Sequence, residues 1–205
     1  MQFERLKQVI EAVIFASDVP LSNKQIKEFV EETSLSEIGK AIDELNREYM
    51  KTNRSFHIIH VAGGYQMVTR ESYSQWVRKL FQKRSRSKLS QAALETLSMI
   101  AFKQPVARSE IVGIRGVNCD GVLQTLLERK LVTITGRSDG PGRPLLYATT
   151  KEFLRYFGVN ELSDLPKPKE IEEILKESGN KPDVEAVLDS TNKTEDSEKI
   201  KNATQ

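Results

Sequence analysis

The stretch "LVTITGRSDGPGRPLLYATT", residues 131–150, places two runs of strand-favouring residues on either side of a segment rich in glycine and proline. This pattern predicts a β-hairpin. Gly140 and Gly142 permit positive φ angles, and Pro141 constrains the turn between them. A phosphate-binding loop would need Gly-Lys-Ser/Thr at the start of a helix, whereas Gly-Arg-Pro and a strand follow here. We therefore expect a hairpin and disfavour a nucleotide site, and with it an NTPase.

A second hairpin is predicted earlier in the chain, in "SFHIIHVAGGYQMVT", residues 55–69, where two β-rich runs flank Ala-Gly-Gly. Three helical segments precede it, and the run "ESYSQWVRKLF" after it returns to helical spacing. In the first helix the apolar residues recur every three or four positions: Phe3, Leu6, Ile10, Val13 and Ile14. Capping boxes open the second and third helices, and these pair Ser22 with Gln25 and Ser34 with Glu37.

The predicted buried faces follow the same spacing. We expect the second helix to bury Ile26, Phe29 and Val30, and the third to bury Ile38, Ile42, Leu45 and Tyr49.

The pattern then recurs around the 131–150 hairpin. Ser90 opens a helix that contains Leu94, Leu97, Ile100 and Ala101, a short helix follows at 110–114, and Asn118 is the predicted N-cap of a third. A closing helix, "TKEFLRYFG", ends at Gly158. The chain thus holds an internal repeat of about 75 residues.

Three helices followed by a two-stranded wing describe a winged helix, which is a helix-turn-helix variant. The predicted fold class is mainly α with small β wings (α+β), as two tandem winged-helix domains plus a flexible C-terminal tail. We expect an N-terminal domain at 1–84, a basic linker at 85–89, a C-terminal domain at 90–166 and an acidic, disordered tail at 167–205. A short helix is conceivable around 171–175.

Composition narrows the class of protein. The 205 residues carry a net charge of +2, but residues 159–205 hold 7 Lys or Arg against 12 Asp or Glu, a net of −5 that leaves +7 for the rest.

A single cysteine, Cys119, fits a reducing compartment. No apolar run approaches the about 20 residues that span a bilayer, and acidic and basic residues interrupt the N-terminus where a signal peptide would be apolar. We expect a cytoplasmic protein without membrane contact.

Catalytic and metal sites are disfavoured. His57 and His60 stand three apart in a predicted strand, so their side chains point to opposite faces. Cys119 has no identifiable histidine partner and is interpreted as structural. We find no catalytic triad, no paired carboxylates and no cofactor fingerprint, and therefore predict no catalytic, metal-binding or cofactor-binding residues, no small-molecule substrate and no enzymatic activity.

DNA binding is the main alternative, in the form of a winged-helix transcriptional regulator. The exposed faces of both third helices are not basic: the first offers Glu37, Lys40, Asp43, Glu44 and Arg47, and the second Asp120, Gln124, Thr125 and Glu128. Because carboxylates repel phosphates, these helices suit the major groove poorly. The positive charge lies in the linker and just before it: Lys83, Arg84, Arg86 and Lys88 are candidates for weak, sequence-blind DNA contact or are simply solvated.

Residues 89–166 closely resemble the second half of the bacterial segregation and condensation protein B family. The resemblance is carried by "IAFKQPV", "IRGVN-DGVL-TLLER", "GRSDGPGRPLLY-TT-EFL-YFG" and "LPKP", where a dash marks a position outside the motif. Residues 1–85 fit that family in layout with weaker motifs, and the tail lies outside the resemblance. Two departures are Ala107, where the family usually has a helix-capping Thr or Ser, and Cys119, where it usually has Ser.

The resemblance implies two tandem winged-helix domains and a homodimer formed through the N-terminal domain. It also implies a non-enzymatic adaptor that binds the kleisin subunit, which bridges the heads of the SMC ATPase in the condensin that compacts and segregates chromosomes. The adaptor would associate with the nucleoid and meet DNA weakly or indirectly. Our candidates for the kleisin-binding surface are Phe102, Arg115, Arg137, Arg143 and Tyr147. The alternative for each is structural: the aromatic residues in the core, and the arginines bracing the fold.

Overall fold

The computed structural model describes residues 2–30, 33–81 and 88–166. Their buried apolar side chains form two clusters, one drawn from residues 6–58 and the other from residues 89–153. We refer to residues 2–81 as the N-terminal unit and to residues 88–166 as the C-terminal unit. Outside the described residues lie the predicted tail, residues 85–87 of the predicted linker with Arg86, and Lys83 and Arg84 just before that linker.

The N-terminal unit consists of three helices, a hairpin and a closing helix, in the predicted order. These elements are α1 (Phe3–Ala16), α2 (Asn23–Phe29), α3 (Leu35–Lys51), β1 (Phe56–Val61), β2 (Gly64–Thr69), a 3-10 turn (Glu71–Tyr73) and α4 (Ser74–Phe81). The two strands pair antiparallel, with Val61 opposite Gly64 at the turn. The backbone of Leu21 exchanges two hydrogen bonds with Tyr65, so the loop after α1 extends the hairpin by one residue.

The predicted helix starts are confirmed. Ser22 and Gln25 form a capping box on α2, and Ser34 and Glu37 form one on α3. The four apolar residues predicted for the buried face of α3 are all buried. The expectation for α2 is wrong at Phe29, which is exposed, because α2 ends there after only seven residues and only Ile26 and Val30 reach the core.

A prediction about pH follows from the second capping box. The Glu37 carboxylate accepts hydrogen bonds from the backbone N–H and the hydroxyl of Ser34, which holds its pKa below the ordinary 4.5. A lowered pKa means that this stabilisation is complete above pH 4.5 and is lost as pH falls through the lowered value. Glu37→Gln keeps an acceptor oxygen but cannot titrate, so its urea midpoint should fall less steeply in acid than that of the wild type.

The matched control is Glu28→Gln, which removes the same charge from an exposed position of α2. If Glu37→Gln and Glu28→Gln lose stability with falling pH along the same curve, the Glu37 carboxylate does not hold the cap.

Polar side chains also secure the core of this unit. The side-chain amide of Asn46 on α3 donates to the carbonyl oxygen of Ile58 at 2.8 Å and accepts from its N–H at 2.9 Å, so α3 is clamped to β1. Lys7 on α1 is buried and pairs with Glu48 on α3 and with Glu4. The hydrogen bond to Glu48 raises the pKa of Lys7, so α1 and α3 are joined by charge as well as by apolar packing.

The C-terminal unit repeats the order with one addition. It contains α5 (Gln91–Lys103), β3 (Val106–Ala107), α6 (Arg108–Arg115), α7 (Asp120–Glu128), β4 (Val132–Arg137), β5 (Leu145–Thr149), α8 (Lys151–Phe157) and a final 3-10 turn (Leu162–Asp164). The short strand β3 was not predicted. It pairs with β5, which gives a three-stranded antiparallel sheet in the order β3-β5-β4.

Most predicted helix ends of this unit are confirmed. Ser90 accepts from the N–H of Ala93 at the start of α5, and Gly158 ends α8 with φ of 71°. The third helix begins one residue later than expected, with Cys119 at the N-cap position. The predicted cap, Asn118, accepts instead from the N–H of Asp120 at 2.8 Å.

Helix α6 begins without a side-chain cap, because Ala107 occupies the N-cap position. Threonine there would accept from the backbone N–H of Glu110. Since Val has the same shape without the hydroxyl, we expect Ala107→Thr to be more stable than Ala107→Val by about 1 kcal/mol, measured by urea unfolding. Ala107 is buried, so any cost of the larger side chain is common to both variants. Equal stability of the two would show that α6 gains nothing from a cap.

Hydrogen bonds between described residues join the units. The N–H of Ala62 in the first hairpin turn donates to the carbonyl oxygen of Val159 at 3.0 Å. The guanidinium of Arg155 on α8 donates to the carbonyl oxygen of Asp18 at 2.8 Å. The end of α8 therefore lies against the first hairpin and the loop that follows α1.

Candidate partner-binding surface

The second hairpin ends in a tightly bonded tip that carries Arg137 and Arg143. The N–H of Ser138 donates to the carbonyl oxygen of Pro144 at 2.9 Å, and the N–H of Arg143 donates to that of Gly140 at 3.0 Å. Arg137 donates from its guanidinium to the carbonyl oxygen of Arg143 at 3.0 Å. Both arginines are exposed, so the tip presents two positive charges on a braced turn.

The turn differs in one detail from the sequence-based expectation. Positive φ occurs at Gly142, with 76°, and at Arg143, with 43°, but not at Gly140. Gly142 thus has the positive φ that the sequence permits, Gly140 does not use that freedom, and the second left-handed residue is Arg143.

Phe102 lies on the surface, near the C-terminal end of α5, with 52% of its side chain exposed. Two further exposed apolar residues of the same unit are Ile114, at the end of α6, and Val117, just after it. Neither residue was predicted from the sequence, although an isoleucine and a valine on either side of the helix-ending Gly116 were a signal for exposed apolar surface. These three side chains can contribute apolar contact area to a partner.

Arg115 has a structural partner. Its guanidinium lies 3.2 Å from the carboxylate of Glu95, and only 9% of its side chain is exposed. The pair ties α6 to α5, so Arg115 fits the structural alternative better than a free contact residue. No spacing rule pointed to Glu95, because the two residues are twenty positions apart.

Tyr147 is a core residue. It lies in the central strand β5 opposite Val106 of β3 and Ile134 of β4, is 8% exposed and belongs to the buried cluster. The aromatic ring therefore packs in the core of this unit and stabilises the sheet. We do not retain Tyr147 as a partner contact.

The basic linker is only partly within the described residues. Lys88 is exposed and lines a cleft beside α5 and α7, whereas Lys83, Arg84 and Arg86 stay predictions from the sequence. On α3, Glu37 and Asp43 are exposed, as expected for a face unsuited to DNA. At the start of α7, Asp120 pairs with Arg108, whose hydrogen bond holds the pKa of Asp120 below its ordinary value.

Among the described residues, exposed large apolar residues are more numerous in the N-terminal unit than in the C-terminal unit. On α1, Phe3 and Phe15 are exposed near the two ends of the helix, the latter by 76%. Helix α4 buries none of its side chains, and Trp76, Leu80 and Phe81 are all exposed on it. These side chains are suited to self-association.

The part of the chain that the structure describes shows neither a cluster of metal ligands nor a membrane-spanning helix. It contains no group of three or more His, Cys, Asp or Glu side chains that could hold a metal ion. It also contains no helix that is both long and apolar enough to cross a membrane.

Comparison with known proteins assigns the chain to a family. The sequence profile described as "Segregation and condensation complex subunit ScpB" matches residues 8–168. "Segregation and condensation protein B" of Syntrophotalea carbinolica is 43% identical over 178 residues, which cover 87% of this chain and 89% of that protein. The protein of the same description from Brevibacillus brevis is 44% identical over 169 residues, which cover 82% of this chain and 87% of the relative.

Solved structures include ScpB from Mycobacterium tuberculosis, which is 31% identical over 78% of this chain and 99% of that one, with a TM-score of 0.37. A second is described as a dimer of the ScpB N-terminal domain complexed with an ScpA peptide. It is 27% identical over 39% of this chain and 99% of that one, with a TM-score of 0.35. The assignment rests on the profile and the sequence identities, both of which extend through the two units: this chain belongs to the family of ScpB, the segregation and condensation complex subunit.

Proposed function

We propose that this protein is a non-enzymatic, dimeric adaptor of bacterial condensin that binds the kleisin subunit, here ScpA, and through it the SMC ATPase. The observation that carries the proposal is the family match across residues 8–168, which spans both units. In this proposal each unit is a winged-helix domain, and the domains have the bounds predicted from the sequence. The adaptor acts in chromosome segregation at the nucleoid and has no small-molecule substrate.

Self-association is assigned to the N-terminal unit. The exposed side chains of Phe15, Trp76 and Leu80 leave apolar area in water that a second copy would cover. Kleisin binding is assigned to the C-terminal unit, where Phe102 and Ile114 provide apolar contacts and the wing arginines provide charge. A few such residues usually carry most of the affinity of an interface.

The wing gives a sharp test. Reversing both charges, Arg137→Glu with Arg143→Glu, is expected to weaken binding of purified kleisin to the full chain at least about tenfold, which corresponds to about 1.4 kcal/mol. Binding is measured by isothermal titration calorimetry. Because Arg137 also braces the tip, urea unfolding of the variant is compared with that of the wild type to separate lost contacts from lost folding.

The matched control is Lys130→Glu with Lys151→Glu, which makes the same change of net charge at exposed positions of the same unit. It should leave kleisin affinity within about twofold of the wild type, a difference of about 0.4 kcal/mol. Unchanged affinity in the wing variant would remove the wing from the contact surface.

The DNA-binding alternative makes a different prediction. A regulator would bind duplex DNA tightly and with sequence preference, whereas the adaptor should show at most weak binding that does not depend on sequence and falls steeply with salt. A mobility-shift titration across salt concentrations separates them. Tight, sequence-dependent binding would contradict the proposal.

A further inference from the structure

The tip of the first hairpin is covered, whereas the tip of the second hairpin is open to solvent. Val61 and Ala62 are 2% and 8% exposed, yet neither belongs to the buried cluster of the N-terminal unit. At the second tip, residues 141–143 are all exposed. Because the N–H of Ala62 donates to the carbonyl oxygen of Val159, the surface that lies against the first tip belongs to the C-terminal unit.

The end of α8 directs two polar groups at the N-terminal unit. The N–H of Val159 bonds back to the carbonyl oxygen of Leu154 at 3.0 Å, which closes the helix end and fixes the direction of the carbonyl group that follows. On the same helix, Glu152 accepts from the guanidinium of Arg155 at 3.0 Å. That guanidinium also donates to the carbonyl oxygen of Asp18 at 2.8 Å. Both groups therefore meet backbone atoms of the loop and the turn that they face.

Alanine is an unfavourable residue for the backbone at position 62. Ala62 has φ of 52° and Gly63 has φ of 72°, and together they form a two-residue turn between paired strand ends. Positive φ at both positions is typical of a type I′ turn, in which Asn-Gly is preferred because asparagine tolerates this conformation better. The turn alone would therefore favour asparagine. Burial gives the reason for alanine, since a polar amide under the C-terminal unit would lose its hydrogen bonds to water.

We propose that the first hairpin is a docking element that holds the C-terminal unit in one orientation, with Ala62 under the end of α8 and Arg155 fixed to the loop after α1. Small contacts between domains usually permit relative motion. Both surfaces lie in one chain, however, so their effective concentration is about millimolar and even a weak contact is filled. The first hairpin tip is thereby closed to other partners, whereas the second stays open.

One consequence rests on the proposed function. If self-association belongs to the N-terminal unit and kleisin binding to the C-terminal unit, docking holds the two surfaces at a fixed angle within each chain. The two kleisin surfaces of a dimer would then keep a constant separation.

The test places a spin label at the junction. Asp18→Cys leaves the carbonyl oxygen that Arg155 binds, and position 18 is exposed, so a label can be attached there in the full chain. Wild-type chain treated with the same reagent should take up none, because Cys119 is buried. The amide resonances of Arg155 and Val159 are expected to lose most of their intensity in the labelled chain. Full intensity of both resonances would overturn the proposal.

Two adjacent substitutions in the turn identify the contact. Ala62→Asn suits the turn but puts a larger polar group in the covered position, so the resonances at the end of α8 should recover most of their intensity. The matched control is Gly63→Asn, since Gly63 also has positive φ but is exposed, and an added Cβ meets no atom within 4 Å. It should leave the loss unchanged.

The opposite order would contradict docking. Asparagine strains the turn more at Gly63 than at Ala62, so an effect that came from the hairpin alone would be larger for Gly63→Asn. Recovery in Gly63→Asn without recovery in Ala62→Asn therefore overturns the proposal. Dispersed amide resonances from both units show that each variant is folded.

A second pair of variants tests the other contact. Arg155→Ala removes the donor to Asp18 and should restore part of the lost intensity, whereas Lys151→Ala, which removes an exposed cation from the same helix, should not. Equal recovery in the two variants would contradict the role of Arg155. This pair also tests the junction if Ala62→Asn does not fold.

A mixed sample separates docking within one chain from a contact between copies. Spin-labelled chain without isotope is mixed with isotope-labelled wild-type chain, and the resonances at the end of α8 should keep their intensity. A loss as deep as in the singly labelled chain would overturn docking within one chain. Kleisin is absent from all of these measurements, so the docking proposal and the adaptor function can fail separately.

Discussion

Leu126→Ala is expected to lower the free energy of unfolding by about 2–5 kcal/mol. Leu126 lies on α7, has no exposed side-chain area and belongs to the buried cluster of the C-terminal unit. Truncation removes apolar contacts and leaves a cavity that α5 and β4, which pack against α7, can fill only in part. The measurement is urea unfolding followed by circular dichroism.

The matched control is Ile114→Ala, since Ile114 is an apolar residue of the same unit whose side chain is 47% exposed. It should change stability by no more than about 0.5 kcal/mol. Similar losses in the two variants would mean that the cluster around α7 is not the core of this unit. A large loss of kleisin affinity in folded Ile114→Ala would support the assignment of Ile114 to the contact surface.

Gly64→Ala is expected to destabilise the N-terminal unit by about 1–3 kcal/mol. A Cβ at Gly64 would lie 2.8 Å from the carbonyl carbon of Leu21 and 2.9 Å from its oxygen. These are backbone atoms, and Leu21 is held by its two hydrogen bonds with Tyr65, so neither side can yield without breaking that bridge. The loss should appear as a lower urea midpoint.

Gly39→Ala is the opposite case. Gly39 lies within α3, where an added Cβ meets no atom within 4 Å. The substitution should stabilise the protein by about 0.5–1 kcal/mol, because alanine loses less conformational freedom in a helix. If both glycine variants shift stability in the same direction, the close approach at Gly64 does not decide the effect.

Local patterns in the sequence were enough to predict most of the secondary structure. Capping boxes such as Ser34 with Glu37, and the helix-ending Gly158, act within a few residues and can be read directly. Strand β3 was missed because its two residues are defined only by pairing with β5, about forty positions away. Phe29 was assigned to the core by its spacing, and nothing local shows that α2 stops before it can bury that ring.

The candidate surface was harder to predict, because the exposure of a side chain depends on contacts with residues far away in the sequence. An arginine at a hairpin tip and an arginine in an ion pair look alike in sequence, yet Arg137 lies exposed on the second hairpin whereas Arg115 is paired with Glu95. Tyr147 lies in a predicted strand, and spacing alone does not show which face of that strand the core covers; in the structure the ring is buried. The burial of a charged residue such as Lys7 likewise depends on a partner far away in the sequence, here Glu48.

The most direct test of the adaptor function is the mass of the full chain by size-exclusion chromatography with light scattering, alone and after mixing with purified kleisin. We predict the mass of two chains when the protein is alone, and a single heavier species that contains two chains together with kleisin after mixing. A mass that kleisin leaves unchanged would contradict the account.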